Sequence, residues 1–557
     1  MTARLVSADS DNGRLPDIVL NDLASRYAPI GSGSATQKVF AFNSTGDQTS
    51  RLQDFFNTVA DNDSVLLTGS GQITTASLAA NGVLVTFHPS CKIIKTTALT
   101  DGLVFTGNDV SVRGGYITSP TQWDGTNSTP TYAVIRSSGH RFQIHGTTLI
   151  NVPRVGIAVR DGDGTSVISE CKITGNYPAS SWNEVETVNF GIMFDPGINS
   201  SNAKIINNTI KSCVQGLFLA NYGNGSSVGT EVIGNDFEGC HNHAIYAAGG
   251  VDSITVASNA TMDCSRPVAL TGDGHIVALN TFNTTGTGGN LNAACGIQIR
   301  NGSNCAVLNN QMKGDVFATA PAIDISHVSG GVSLSRNRVV GNTIEILGTN
   351  QSVGIRVGTS ASTTMRDNVV QGNTVKGPGV ANQGVISFFA SNSSGLGNKC
   401  LDNIVIVTGP SNGIHVNGQV GLDVRGNRIA FEYNAVSATT LGGIYLDASS
   451  SRSRVQDNDI LVGSAFGTNV TVRGIWEGSG TTANRTALNR FNFDGPLTGF
   501  ATHFLQGTSG SIVDEVLAGA PTFVCGPGSR WLRTDGGAST TLYVKETASN
   551  SGVWRAV

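Results

Sequence analysis

From about residue 101 to 505 the apolar positions fall into short alternating runs, each bounded by Gly, Asn and Ser, and one phrase keeps returning among them. It reads Gly156-Ile157-Ala158-Val159, then Gly191-Ile192-Met193-Phe194, Gly216-Leu217-Phe218-Leu219, Ala244-Ile245-Tyr246-Ala247, Pro267-Val268-Ala269-Leu270 and Gly296-Ile297-Gln298-Ile299. It continues through Ala322-Ile323-Asp324-Ile325, Gly354-Ile355-Arg356-Val357, Gly384-Val385-Ile386, Gly413-Ile414-His415-Val416, Gly443-Ile444-Tyr445-Leu446 and Gly474-Ile475-Trp476. The steps run from 23 to 35 residues and average about 29, which is the behaviour of a stacked repeat protein. A second phrase, Asn followed by an alternating strand, travels with the first, as in Asn208-Thr209-Ile210, Asn310-Gln311-Met312, Asn373-Thr374-Val375 and Asn458-Asp459-Ile460. Period-two alternation of β-branched residues predicts strands. Asn suits the left-handed bends between them, and a stacked Asn column can ladder its amides.

These elements predict an all-β chain, a right-handed parallel β-helix solenoid of about 12 or more coils with three short strands in each. Leucine-rich repeats reach a similar period, but they need Leu at several fixed places and usually an outer helix. Here the apolar positions are Val and Ile, and the intervening stretches are rich in Gly, Ser, Thr and Asn, which opposes helices. One helix is predicted, Arg51 to Val59, behind a Thr/Ser N-cap and ahead of strands at Val65-Leu66-Leu67, Gly71-Gln72-Ile73 and Val83 to Phe87. A solenoid needs such a cap over its first open edge. The organisation expected is therefore an attachment segment and linker at 1–36, a cap of helix and strands at 37–100, the β-helix at 101–505 and a small C-terminal β module at 506–557, with a hinge near Thr508-Ser509-Gly510-Ser511.

Composition narrows the setting. Seventy Gly and a charged fraction of 13% describe a turn-rich β protein, and a net charge of −4 without a basic run argues against nucleic acid as a partner. No 18-residue apolar stretch exists and the start lacks a secretory signal, so synthesis in a cytoplasm and no membrane insertion are expected. Nine Cys without C-x-x-C spacing indicate neither a disulfide framework nor a zinc site. Cys213, Cys240 and Cys264 precede successive phrases and are expected as a column of buried thiols. Cys240, His241 and His243 are the sharper alternative of a metal site, with no further ligand to complete it. No cofactor motif is present.

Both ends carry a resemblance. Val39 to Thr97, with Gly46-Asp47, Thr49 and Leu52-Gln53, resembles the pectate-lyase-like cap of bacteriophage tailspikes and tail fibres, though the further acidic residues usual there are absent. Gly519-Ala520-Pro521-Thr522-Phe523, Leu532-Arg533-Thr534-Asp535-Gly536-Gly537, Leu542-Tyr543-Val544-Lys545-Glu546 and Gly552-Val553-Trp554 are similar to a small β module that ends many phage structural proteins. The resemblance implies a homotrimer in the virion, joined through its N-terminus to tail-tip or baseplate proteins, whose β-helix flank binds or cuts a host cell-surface glycan.

Alternation places the residue after each phrase Ile on the outer surface, one coil from its neighbours. That column reads Ala158, Met193, Phe218, Tyr246, Ala269, Gln298, Asp324, Arg356, Ile386, His415, Tyr445 and Trp476. Its polar and aromatic members, Tyr246, Gln298, Asp324, Arg356, His415, Tyr445 and Trp476, suit a sugar groove or a subunit interface equally well. Glycoside cleavage would need paired carboxylates, for which Glu184, Glu186 and Asp195, near Trp182, are the candidates. Elimination would need a base and a charge-neutralising group, for which His241, His243, Arg266 and Lys211 are available.

Overall fold

The computed structural model describes residues 36–556 except for 120–131, 161–164, 177–188, 195–201, 221–226, 250, 285–294, 315–319, 327–332, 348–351, 360–363, 381–382, 391–394, 433–438, 448, 463–469, 479–480, 494–511, 518–528, 534–541 and 546–553. Its strands stack into a right-handed parallel β-helix. Each coil contributes two strands to a 36-stranded sheet and one to a 15-stranded sheet. In one coil these are Glu231–Ile233, Asp236–Glu238 and His243–Ala248. Their central residues Val232, Phe237 and Ile245 are buried and pair in register with Ile205, Ile210 and Leu217 of the coil before. Repetition of this pairing produces one continuous apolar interior.

The phrase glycine has a steric cause. A Cβ on Gly216 would stand 2.5 Å from the Phe237 ring and 2.6 Å from the Ala244 carbonyl; on Gly413 it would stand 2.5 Å from Ile429 and 2.6 Å from the Gly443 carbonyl. Glycine and the residue after it both face the interior there, so at Gly216 and Gly413 only a hydrogen fits without rearrangement, while Ala244, Pro267, Ala322 and Val385 fill the same place on other coils.

The expected Asn column is continuous. Buried Asn208, Asn235, Asn259, Asn280, Asn310, Asn342, Asn373, Asn403, Asn427, Asn458 and Asn489 form a ladder. Asn373 shows the pattern: its Nδ2 donates to Asn403 Oδ1 and to Val339 O, both at 2.9 Å, and its Oδ1 accepts from Asn342. The left-handed bend, however, is taken by the residue before the Asn, as at Asn207 (φ 54°), Gly372 (φ 63°) and Leu488 (φ 57°). The Asn itself must keep its side chain aimed along the axis, so the bend moves one position back.

The single helix among the described residues spans Thr49–Phe56, two residues earlier than expected, and its Gln48 N-cap makes no side-chain cap bond. Asp47 takes over that role by accepting the Thr49 N–H at 2.8 Å, and its other oxygen accepts from the Thr74 hydroxyl at 3.0 Å. Leu52 is fully buried, while Gln53 donates to Ser77 O at 3.0 Å and accepts from Ser77 N at 2.8 Å. Ala76–Leu78 is the first strand of the smaller sheet, so the Gln53 amide stands in for a missing neighbour strand. At the other end Ile512–Leu517 pairs parallel with Arg485–Ala487 and continues the larger sheet, and Trp531 lies in the common core with Tyr543 and Trp554 packed against it.

Candidate functional site

The outward column on the 15-stranded sheet forms. Ala158, Met193, Phe218, Tyr246, Ala269, Gln298, Asp324 and Arg356 are successive register partners, followed by Ser387, His415, Tyr445 and Trp476. Ile386 is the exception to the expected column. It pairs with Ile355 and Ile414 and is fully buried in the core, because Val385 rather than Gly384 stands at the phrase-glycine place. Ser387 therefore occupies the outer position.

Three neighbourhoods follow one another along this face. The first is apolar: Val155, Ala158, Phe190, Met193 and Phe218 form a buried cluster distinct from the interior, with Tyr246 packed on it. His243 stacks on Tyr246 with centroids 4.5 Å apart. Burial, reinforced by the Arg266 and Arg300 charges, pushes the His243 pKa well below the ordinary imidazole value, so the ring is neutral.

The second neighbourhood is charged. Arg356 grips buried Asp324 with its fork, Nε to Oδ1 at 3.0 Å and Nη2 to Oδ2 at 2.9 Å. Ser326 Oγ and Gln298 Nε2 also donate to Asp324 Oδ2, at 3.0 and 3.3 Å. Gln298 Oε1 in turn accepts from Arg300 Nε at 2.7 Å.

The third neighbourhood is aromatic. Phe389 meets His415 edge-on, His415 stacks on Tyr445 at 5.1 Å, and Tyr445 stacks on Trp476 at 4.3 Å. The Arg473 guanidinium lies over the Trp476 ring at 4.7 Å. Tyr445 donates its hydroxyl to Asp447 Oδ1 at 2.9 Å, and Asp447 Oδ2 lies 3.4 Å from His415 Nε2. Burial, then the bond to Asp447, pushes the Tyr445 pKa up to about 12. His415, Tyr445 and Trp476 turn their faces along the axis toward one another, so ring edges rather than flat faces are presented outward. That geometry differs from the open stacking platform that an aromatic column suggests from sequence.

The catalytic candidates Glu184, Glu186 and Asp195, with Trp182, lie outside the described residues. Beside the column, Asp324 and Asp447 are separated by four coils, about 19 Å at ~4.8 Å each, well beyond the reach of a glycosidase carboxylate pair. The elimination quartet is not brought together, since Lys211 sits on the larger sheet in an ion pair with Glu238. Cys240 is in the interior with Cys213 and Cys264, as the thiol column requires, while His243 is on the outer face. Sequence reading missed Arg300, Phe389 and Asp447. Each lies two residues beyond a column member, so the same alternation places them on the same face.

Residues 63–261 match the family model described as the right-handed β-helix region. No curated protein is significantly similar in sequence. Among solved structures, a polygalacturonase from Erwinia carotovora ssp. carotovora is 14% identical, covering 68% of this chain and 94% of its own, with a TM-score of 0.37. Tailspike protein 3 of bacteriophage CBA120 is 9% identical over 97% of this chain and 70% of its own, with a TM-score of 0.34. The surface adhesin PfbA of Streptococcus pneumoniae is 10% identical over 94% and 98%, with a TM-score of 0.33. Likenesses this distant carry no information about activity.

Proposed function

We propose that this chain is a spike or fibre protein of a bacteriophage tail, a receptor-binding component that takes up host cell-surface glycan on the outer face of the 15-stranded sheet. The observation that carries the reading is the run from Gln298 to Trp476, where charged donors and acceptors give way to aromatic rings over consecutive coils. Hydroxyl-rich ligands need that mixture. The phrases at both ends support the phage setting, and in it residues 1–36 attach to tail-tip or baseplate proteins and residues 506–557 form the distal module.

Assembly as a homotrimer has its own support on the larger sheet. Ile206, Ile233, Ala257, Ala278, Leu308 and Val340 are consecutive register partners, all outward and half-buried. They make an aliphatic stripe about 24 Å long at ~4.8 Å per coil. Such a stripe suits a second copy of the chain, which leaves the polar and aromatic face for ligand.

Depolymerase activity, by hydrolysis or elimination, is the second reading, and it rests on the sequence cluster Glu184, Glu186 and Asp195. Full-length protein incubated with purified host cell-wall polysaccharide tests both. Saturable binding without new reducing ends supports the adhesive reading. New reducing ends or unsaturated products support the depolymerase, and absence of both binding and products overturns the proposal. Deletion of residues 1–36 is expected to spare folding and abolish incorporation into particles.

A further inference from the structure

The charged neighbourhood has a directional construction. Arg356 holds Asp324, Asp324 accepts from Gln298, and Gln298 accepts from Arg300 Nε, so four side chains on three consecutive coils form one hydrogen-bonded chain. Arg300 ends that chain. It is half-exposed, it is fixed at Nε, and its two terminal amino groups have no partner among the described residues. A guanidinium anchored at Nε presents the forked end that matches an oxyanion with two parallel N–H donors.

The surroundings add charge of the same sign. On the coil before, Arg266 donates from Nη1 to Asn242 Oδ1 at 3.3 Å and lies 3.5 Å from His243 Nε2. Arg266, Arg300, Arg356 and Asp324 all act on the buried Cys295 thiol, which burial above all raises to about 12. Three guanidiniums and one carboxylate thus converge on one part of the face. The chain as a whole carries −4, so this part opposes the overall sign and would concentrate an anion there.

Resting on the glycan-binding reading above, we infer that this face carries a subsite for an acidic saccharide, whose carboxylate or phosphate oxygens are received by the terminal amino groups of Arg300, with Arg266 one coil before it and Arg356 two coils after it. Gln298 is a positioning residue, since it acts by holding Arg300 Nε. Tyr246, stacked with His243 beside Arg266, bounds the subsite on its apolar side.

The test is equilibrium binding of the full chain to three probes: an oligosaccharide of hexuronic acid, the same oligosaccharide after carboxyl reduction, and a glycerol-phosphate polymer. The wild type is expected to prefer an anionic probe over the reduced one, with the preference shrinking as salt rises. The better of the two anionic probes identifies carboxylate or phosphate as the group recognised. Arg300→Gln is expected to lower anionic binding by about 10- to 100-fold, the usual worth of a charge-assisted pair, with its melting temperature close to wild type. Arg300→Lys, which keeps the charge and loses the fork, is expected to recover part of it. Equal affinity for the reduced and acidic oligosaccharides, or undiminished anionic binding in folded Arg300→Gln, overturns the subsite. If host polysaccharide binds but none of its affinity depends on charge, the subsite alone falls; if no glycan binds at all, the broader reading falls with it.

Discussion

Two outer columns run along this β-helix at the same coil spacing, and they are built on opposite plans. The stripe on the larger sheet keeps an aliphatic residue at one place for six coils, from Ile206 to Val340. The column on the smaller sheet changes from Phe218 through Asp324 to Trp476 over ten coils. A uniform column matches a surface with the same repeat, which a second copy of the chain supplies. A graded column matches a ligand with one end unlike the other. On the proposed reading, uniformity along the axis goes with packing against another copy, and change along the axis goes with recognition.

The most severe way to break the comparison is a charge in the uniform column. If the stripe packs in the proposed homotrimer, Leu308→Glu is expected to dissociate it, since a carboxylate buried at each interface without a partner costs on the order of 3–5 kcal/mol. Analytical ultracentrifugation at micromolar protein checks it, and an unchanged mass would remove the stripe from the interface. Next in size is Asp324→Ala, which strands the Arg356 fork. With Asp324 side-chain exposure at 2% and Arg356 at 29%, the loss is expected at about 2–4 kcal/mol in chemical denaturation with the oligomer intact. If the oligomer dissociates instead, the two columns do not divide the labour as stated.

Alkaline titration sharpens the comparison inside the graded column. The Tyr445 phenol is raised from 10 to about 12 in the folded chain, first by burial and then by its bond to Asp447. A raised acid favours the neutral form in the fold, so its contribution is complete below pH 10 and is lost as pH climbs from 10 through about 12. Because the ring is partly open to solvent, the size is discounted to about 1 kcal/mol. Tyr445→Phe is expected to flatten that part of the stability profile, and an identical profile would refute the assignment. An effect of similar size is expected from Trp476→Ala, which removes the stacking on Tyr445 and the Arg473 contact over its ring at the end of the column, about 1 kcal/mol. Measuring glycan binding and oligomer mass on that variant separates the roles of the column: weakened binding at constant mass supports recognition, and lost mass supports an interface.

How much the sequence makes legible follows from where each residue points. Asn373 and its relatives recur at one place because every coil needs the same amide in line, so the column is visible as a repeat. Leu52 and Gln53 are legible for a similar reason, one plugging the interior and the other closing the Ser77 edge. Ile386 points inward, against expectation, because Val385 rather than Gly384 stands at the phrase-glycine place, and a slip of one residue turns a side chain through the wall of the helix. Arg300 does not follow a phrase Ile, yet strand alternation puts it on the same face as Gln298, two residues before it.

Sequence by itself determined the period, the inward residues, the corner glycines, the Asn ladder and the capping phrase, because each repeats under a local constraint of strand alternation or close packing. Tertiary structure alone decided how the neighbours along the outer column engage one another. Arg300, Asp324 and Arg356 are 24 and 32 residues apart along the chain yet lie on consecutive coils. Stacking brings His415, Tyr445 and Trp476 face to face across equally long separations. Loops of unequal length intervene between these residues, so their register depends on the hydrogen bonds that join coil to coil, and those bonds form only when the whole wall is wound.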